Sequence, residues 1–153
     1  MSGPDRKTRA KVLHRDEGSC VRCGQVVFNT HSEQPLAQDS LQHRRARGMG
    51  GTRNPIANAP ENLIVLCGTG TTGCHGWVET HREESRQHGW AISQTEDPAL
   101  IPVTHHLWGR MWLTRFGYAS CTREHLVDRI IRERAVVSGG IEHVALLDWL
   151  AAS

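Results

Sequence analysis

Four of the five cysteines fall in two pairs, and these pairs constrain the fold more than any other feature of the sequence. Cys20 lies close to Cys23, Cys67 lies close to Cys74, and Cys121 stands alone far downstream. An odd number of cysteines disfavours a disulfide framework, and paired cysteines in a reducing compartment more often bind metal than form bridges. We therefore expect the paired cysteines to bind one structural Zn²⁺ in a tetrahedral site, and Cys121 to be a small buried apolar residue.

The spacing within each pair bears on this prediction. The segment 20–24 has cysteine at its first and fourth positions and ends in glycine, which is typical of a zinc knuckle, a tight turn that points two thiolates at one ion. The second pair encloses residues 68–73, a Gly- and Thr-rich insert that is flexible enough to fold back on itself. A thioredoxin-like redox motif is the main alternative, and it requires a surrounding β-α-β pattern that this sequence lacks.

Length and charge limit the class of protein. A chain of 153 residues predicts one domain with a modest appendage, and its longest clean apolar run, residues 63–67, is too short to cross a membrane. We therefore expect no membrane contact and a cytoplasmic location. Residues 1–54 contain ten Lys and Arg against five Asp and Glu, whereas residues 55–153 contain eight against eleven. This asymmetry indicates a polyanion-facing surface on one side or a solvated basic face, and charge alone does not separate the two.

Hydrophobic patterning predicts an α+β fold. We expect a domain over residues 1–118 and a C-terminal helical extension over residues 119–153, in which Thr122 caps the first of two helices. A loop is predicted over residues 46–61. The other expected elements are helices over 5–17 and 74–88, short strands over 26–31, 41–45 and 62–67, and a strand hairpin within 103–116.

The residues between the two cysteine pairs carry the strongest functional signal. His43 is preceded by Gln42 and followed by two arginines on a predicted strand, Asn62 opens the next strand, and His75 follows Cys74 at the start of a predicted helix. This order resembles the HNH nuclease family. The wider pattern resembles the small HNH endonucleases of actinobacterial phages and prophages, and it comprises residues 41–51, 62–63, 67–68 and 73–77.

The resemblance covers about residues 10–115 and implies a ββα-metal fold, cleavage of double-stranded DNA, and a catalytic divalent cation, which could be Mg²⁺, Mn²⁺, Ni²⁺ or Zn²⁺. It implies that Asn62 orients His43 or its strand and that His75 is a metal ligand. It also implies a bacterial host cell as the location if the chain is phage-encoded. Phosphodiester hydrolysis needs a base to deprotonate water, and His43 suits this role because adjacent arginines would lower its pKa and keep its imidazole neutral.

Position 42 departs from the commonest family pattern, which has Asp or His there as a second metal ligand. A neutral amide oxygen binds a hard cation more weakly than a carboxylate does. Either Gln42 still binds the ion or another group compensates, and Glu79 is the best candidate because it lies four residues after His75 on the same helix face. A solvated surface charge is an equally acceptable interpretation of Glu79.

Four arginines flank the predicted base on a strand and a glycine-rich loop. Their guanidinium groups are expected to contact DNA phosphates, and no base-reading element is evident, so cleavage should depend weakly on sequence. They are Arg44, Arg45, Arg47 and Arg53.

Two other functions are compatible with the sequence. The first is a non-catalytic zinc module that binds DNA, which Gln42 favours. The second is a phage packaging accessory protein that acts on a terminase-like partner through the helices predicted over residues 119–153.

Overall fold

The computed structural model describes residues 3–48, 54–117 and 119–120, and in these it has helices joined to small antiparallel sheets. The helices are α1 (Arg6–Arg15), α2 (Gly73–Thr80) and α3 (Arg82–Gln87). The strands are β1 (Phe28–Asn29), β2 (Gln34–Pro35), β3 (Asp39–His43), β4 (Leu63–Cys67), β5 (Val103–His105), β6 (Gly109–Leu113) and β7 (Ala119–Ser120). The predicted mixture of helix and strand is confirmed.

Helix α1 begins where the sequence predicts. The carboxylate of Asp5 accepts a hydrogen bond from the backbone N–H of Thr8 at 2.7 Å and so caps the first turn. Its surface is mostly charged, but Val12 and Leu13 are buried. Because α1 contacts β4 and the turn before it, these two residues fix the N-terminal segment to the centre of the molecule.

The centre of the fold is an antiparallel pair of strands followed by a helix. Strand β3 pairs with β4 so that Asp39 lies opposite Cys67 and His43 lies opposite Leu63. All five residues of β4 are buried, and the strand predicted over 62–67 is thus present and ends on Cys67. Helix α2 packs against β4. The order strand, strand, helix therefore places α2 beside β3, and Ser40 near the start of β3 contacts His75 in the first turn of α2.

Several element boundaries differ from the predicted ones. The strand predicted over 41–45 is β3, displaced two residues toward the N-terminus, and the strand predicted over 26–31 is reduced to β1. The loop predicted over residues 46–61 contains two short 3₁₀ turns, Pro55–Asn58 and Pro60–Asn62. Each turn begins with a proline, whose missing N–H is not needed because the first position of a turn has no hydrogen-bond acceptor. The hairpin predicted within 103–116 is formed by β5 and β6, and β7 pairs with β6 beyond the predicted domain boundary.

The single helix predicted over 74–88 is two helices. The hydroxyl of Thr80 donates to the carbonyl oxygens of Gly76 and Trp77, and Nδ1 of His81 lies 3.0 Å from the same Trp77 oxygen. These side chains compete with the backbone at the end of a helical turn, and His81 leaves the helical conformation with φ −112° and ψ 56°. Gly89 adopts φ +68° after α3, as expected for a helix terminator.

Three sequence predictions concern residues outside the described ranges. They are the helical hairpin after Thr122, the burial of Cys121 and the phosphate contact of Arg53. In the described part of the chain, the helices are too short or too polar for a membrane span.

Candidate metal centre and active-site cleft

The four paired cysteines meet at one point. Their sulfur atoms all lie within 4.8 Å of one another, and Sγ of Cys23 is 3.9 Å from Sγ of Cys67. Four sulfurs bound at about 2.3 Å to one tetrahedral ion lie about 3.8 Å apart, so the cluster has the dimensions of a zinc site. A cluster of four cysteines that could hold a metal ion is thus present, as predicted.

Backbone geometry forms both halves of this centre. In the first half, the N–H of Gly24 donates to the carbonyl oxygen of Cys20 at 2.8 Å, and Gly24 has φ +78°. In the second half, Thr69 and Thr72 exchange backbone hydrogen bonds of 3.2 and 3.0 Å, which closes the insert into a small loop. The six-residue spacing therefore still delivers Cys74 to the cluster, because the extra residues fold back on themselves.

Burial makes two of these thiols weaker acids, whereas hydrogen bonds from the backbone of Gln25 and from the other cysteines lower the pKa of Cys23. Desolvation raises the pKa of Cys20 and of Cys74, although hydrogen bonds from nearby backbone amides oppose this for Cys20 and the Arg22 guanidinium opposes it for Cys74. Thiolate ligands must lose their protons to bind metal. Binding of an ion at this cluster would therefore be coupled to proton release and to the stability of the surrounding fold.

An open cleft of about 790 Å³ lies beside the β3–β4–α2 unit. The predicted site residues that line it include His43, His75 and Glu79. The remaining lining residues are Gly3, Pro4, Arg9, Asp39, Ser40, Leu41, Gln42, Ala46, Arg47 and Gly48.

His43 ends β3 and is half-buried in this cleft. Its Nε2 lies 3.0 Å from Oδ1 of Asn58, so the N–H is on Nε2 and Nδ1 carries the lone pair. Burial is the main reason that the pKa of His43 is lowered, and the positive charge of Arg47 adds to it. The pKa shift has the expected direction, but its main cause is desolvation, and the contributing arginine is Arg47 rather than Arg44 or Arg45.

His75 lies in the first turn of α2. The hydroxyl of Ser40 donates to the carbonyl oxygen of Gly68 at 2.8 Å and lies 2.5 Å from Nδ1 of His75. A hydroxyl has one proton to donate, so Nδ1 must carry the other, and Nε2 of His75 is left with its lone pair. Burial also lowers the pKa of His75, which favours the neutral ring that can bind a cation.

The two candidates for a second metal ligand differ in exposure. Gln42 borders the cleft but is only 1% exposed, and its amide nitrogen donates to the carbonyl oxygen of His43 at 3.2 Å. Glu79 is 40% exposed, lies on α2 with His75, and pairs loosely with Arg82 at 3.3 Å. The accessible carboxylate of Glu79 is therefore better placed for a cation than the amide of Gln42.

Asn62 is fully buried and holds the end of β3. Its Oδ1 accepts from the backbone N–H of Arg45 at 2.7 Å, and its Nδ2 donates to the carbonyl oxygens of Arg45 and Ala57. These bonds agree with the predicted role of orienting the strand. The direct contact to the His43 ring comes from Asn58 instead.

Arg44 does not lie on the surface, and the prediction that it contacts phosphates is wrong for this fold. It is 0% exposed, and its guanidinium donates to four backbone carbonyl oxygens at 2.6 to 3.0 Å. These oxygens belong to Gly89, Glu61, Pro98 and Ile101. Burial lowers the pKa of Arg44 to about 9, which still leaves the side chain charged at pH 7.

The other basic residues divide between the cleft and its surroundings. Arg47 lines the cleft, as does Arg9 of α1, which forms a 2.6 Å ion pair with Asp39. Arg45 is partly exposed next to the end of β3, where its guanidinium reaches the carbonyl oxygen of Glu96 at 3.4 Å.

Sequence reasoning missed Arg9 and Ser40, which line the cleft, and Asn58, which contacts the His43 ring. Arg9 had a visible signal, since it belongs to the basic N-terminal helix. Asn58 lies in a loop rich in Asn and Pro, and Ser40 lies in a polar stretch. No sequence signal therefore marks either residue as the partner of a histidine.

Comparisons of this chain with models of known protein families, with curated proteins and with solved structures yield no match.

Proposed function

We propose that this chain is a metal-dependent DNA endonuclease of the HNH type, built on a ββα unit next to a structural zinc centre. The observation that carries the proposal is the joint placement of His43, His75 and Glu79 in one open cleft. Each histidine has one ring nitrogen engaged by a neighbouring side chain and the other carrying a lone pair.

His43 acts as the general base in this proposal. Its lone pair on Nδ1 accepts the proton of the attacking water, while Asn58 holds Nε2–H and keeps the ring in one orientation. Because burial lowers its pKa, the ring is neutral at pH 7 and ready to accept a proton.

His75 and Glu79 are the residues that would hold a divalent cation. An imidazole nitrogen and a carboxylate oxygen on one helix, four residues apart, can reach the same ion. A bound divalent cation supplies charge neutralisation at the scissile phosphate and at the departing oxygen. Ser40 fixes the His75 ring so that Nε2 is the nitrogen available for this purpose.

Arg9 and Arg47 place positive charge at the walls of the same cleft. Guanidinium groups bind phosphate through paired N–H donors, and such contacts do not depend on base sequence. The substrate in this proposal is therefore double-stranded DNA, bound through its backbone.

The test is incubation of supercoiled plasmid with the purified full-length protein and Mg²⁺, Mn²⁺, Ni²⁺ or Zn²⁺ in separate reactions. We expect conversion to open-circular or linear DNA with at least one cation and none when the added cation is chelated. DNA that is bound but uncut with every cation would contradict the nuclease and support the non-catalytic zinc module.

A variant of Glu79 and a matched control test whether Glu79 binds the cation. Glu79→Gln should weaken cleavage and raise the cation concentration needed for half-maximal rate, because an amide replaces an exposed carboxylate. Glu83→Gln removes an exposed carboxylate from α3 and should leave that concentration unchanged.

A further inference from the structure

One side chain of the first knuckle reaches across the cysteine cluster. Arg22 lies between Cys20 and Cys23 in the sequence, and its Nη1 donates to Sγ of Cys74 at 3.5 Å. The contact spans 52 positions of sequence and joins the first knuckle to the cysteine at the start of α2.

The Arg22 guanidinium is also held by aromatic rings. Its Cζ lies 3.8 Å from the ring centroid of Trp77 and 5.7 Å from that of Trp90. The two indoles meet edge to face at 6.2 Å, so they form a rigid support for the planar cation. Nε of Arg22 is buried and has no hydrogen-bond partner among the described residues.

A cation held in this way needs nearby negative charge, and a zinc centre supplies it. Four thiolates around one Zn²⁺ have a net charge of about −2. Burial of a charged guanidinium is favourable only when a charged or hydrogen-bonding partner is close. The sulfur of Cys74 is the partner that the geometry provides.

We propose that Arg22 is a positioning residue of the metal centre: its guanidinium, stacked on Trp77, offsets part of the thiolate charge and holds Cys74 on the ion. The proposal rests on the four-cysteine centre and does not depend on the nuclease activity. Because Trp77 lies on α2 between His75 and Glu79, the same contact fixes the helix of the cleft to the first knuckle.

The test measures transfer of zinc from the loaded full-length protein to an excess of a chromophoric chelator. Arg22→Gln should speed the transfer by about 10- to 100-fold, the usual effect of losing a hydrogen-bonding partner of a metal ligand. Arg22→Lys should lie between Arg22→Gln and the original protein, since it keeps the charge and loses the planar stack. Arg86→Gln, which removes an exposed arginine of α3, should match the original protein.

A second readout separates this role from a purely structural one. With Co²⁺ in place of zinc, the thiolate-to-metal charge-transfer absorption should move to longer wavelength in Arg22→Gln, because the sulfur lone pair loses a cationic donor. Unchanged zinc transfer would overturn the proposal, and so would faster transfer with an unchanged absorption band. A purified original protein that holds no zinc would overturn the metal centre itself, whether or not DNA is cut.

Discussion

At the scale of single residues, the cleft contains two histidines, and an uncharged side chain engages one ring nitrogen of each. Asn58 engages Nε2 of His43, and Ser40 engages Nδ1 of His75. A neutral partner orients an imidazole without adding a charge that would favour its protonated form. This arrangement suits a base and a metal ligand that must both be neutral at pH 7.

Asn58 offers a direct test of this orientation. We expect Asn58→Ala to lower the cleavage rate about fivefold, since a hydrogen bond contributes about 1 kcal/mol and each 1.4 kcal/mol changes a rate tenfold. Single-turnover cleavage of plasmid under saturating protein measures this rate. Asn58→Asp keeps the acceptor and should retain more activity than Asn58→Ala near pH 8.

The pH dependence of the cleavage rate tests the same contact between Asn58 and His43. A base works when unprotonated, and the lowered pKa of His43 places the acid limb of the rate profile below pH 6.5. The carboxylate of Asn58→Asp favours the imidazolium and should move this limb to higher pH. An acid limb that stays in place in Asn58→Asp would show that another group controls it.

At the scale of elements, the loop between Cys67 and Cys74 decides whether the centre can close. Gly68 has φ +83°, and a β-carbon there would collide with the carbonyl oxygen of Thr72. Gly70, in the same loop, has open space around it and lies outside the left-handed region. The two glycines therefore have different structural roles, and the sequence alone does not show which of them requires a left-handed backbone.

Gly68→Ala should lower the free energy of unfolding by about 2 kcal/mol or more, because a left-handed alanine costs about 1 to 2 kcal/mol before any collision. It should also reduce the zinc bound per chain. Gly70→Ala is the matched control and should change the free energy by less than about 0.5 kcal/mol. Denaturant unfolding with elemental analysis measures both, and equal behaviour of the two variants would contradict the loop's role.

The elements show how far local patterns predict structure. The buried strand and the helix stop at Gly89 were predictable, because an unbroken apolar run and a terminal glycine each have one simple structural explanation. The start of β3 was not, since Asp39 and Ser40 favour turns and are drawn into a strand by pairing with β4. The break at His81 was also missed, because it depends on how Thr80 and His81 compete for one carbonyl oxygen.

At the scale of the whole molecule, Arg44 joins segments that are distant in sequence. Its four carbonyl partners lie 17 to 57 positions away along the chain. In the sequence, Arg44 stands beside a candidate base, which favours a phosphate contact. Its carbonyl partners could not be predicted, because only the complete fold brings them together. The cysteine centre was predictable over similar distances because two close pairs of cysteines in one chain are typical of a metal site.

Substitution of Arg44 should therefore lower stability, whereas substitution of Arg47 should weaken DNA binding. Arg44→Met leaves four buried carbonyl oxygens without their donor and should lower the free energy of unfolding by about 3 kcal/mol or more. Arg47→Gln should change it by less than about 0.5 kcal/mol and reduce the slope of DNA affinity against salt by about one. Denaturant unfolding and DNA binding at several salt concentrations test the pair, and a stable Arg44→Met protein would contradict the assigned role of Arg44.

The central claim is that His43 is the base of a nuclease, and the most direct measurement compares His43→Ala with the original protein in plasmid cleavage. Both proteins are assayed with the most effective cation, and zinc content and DNA affinity are measured on the same samples. We predict that cleavage by His43→Ala falls by about a hundredfold or more while zinc content and DNA affinity remain nearly unchanged. Cleavage by His43→Ala at the original rate would contradict the mechanism.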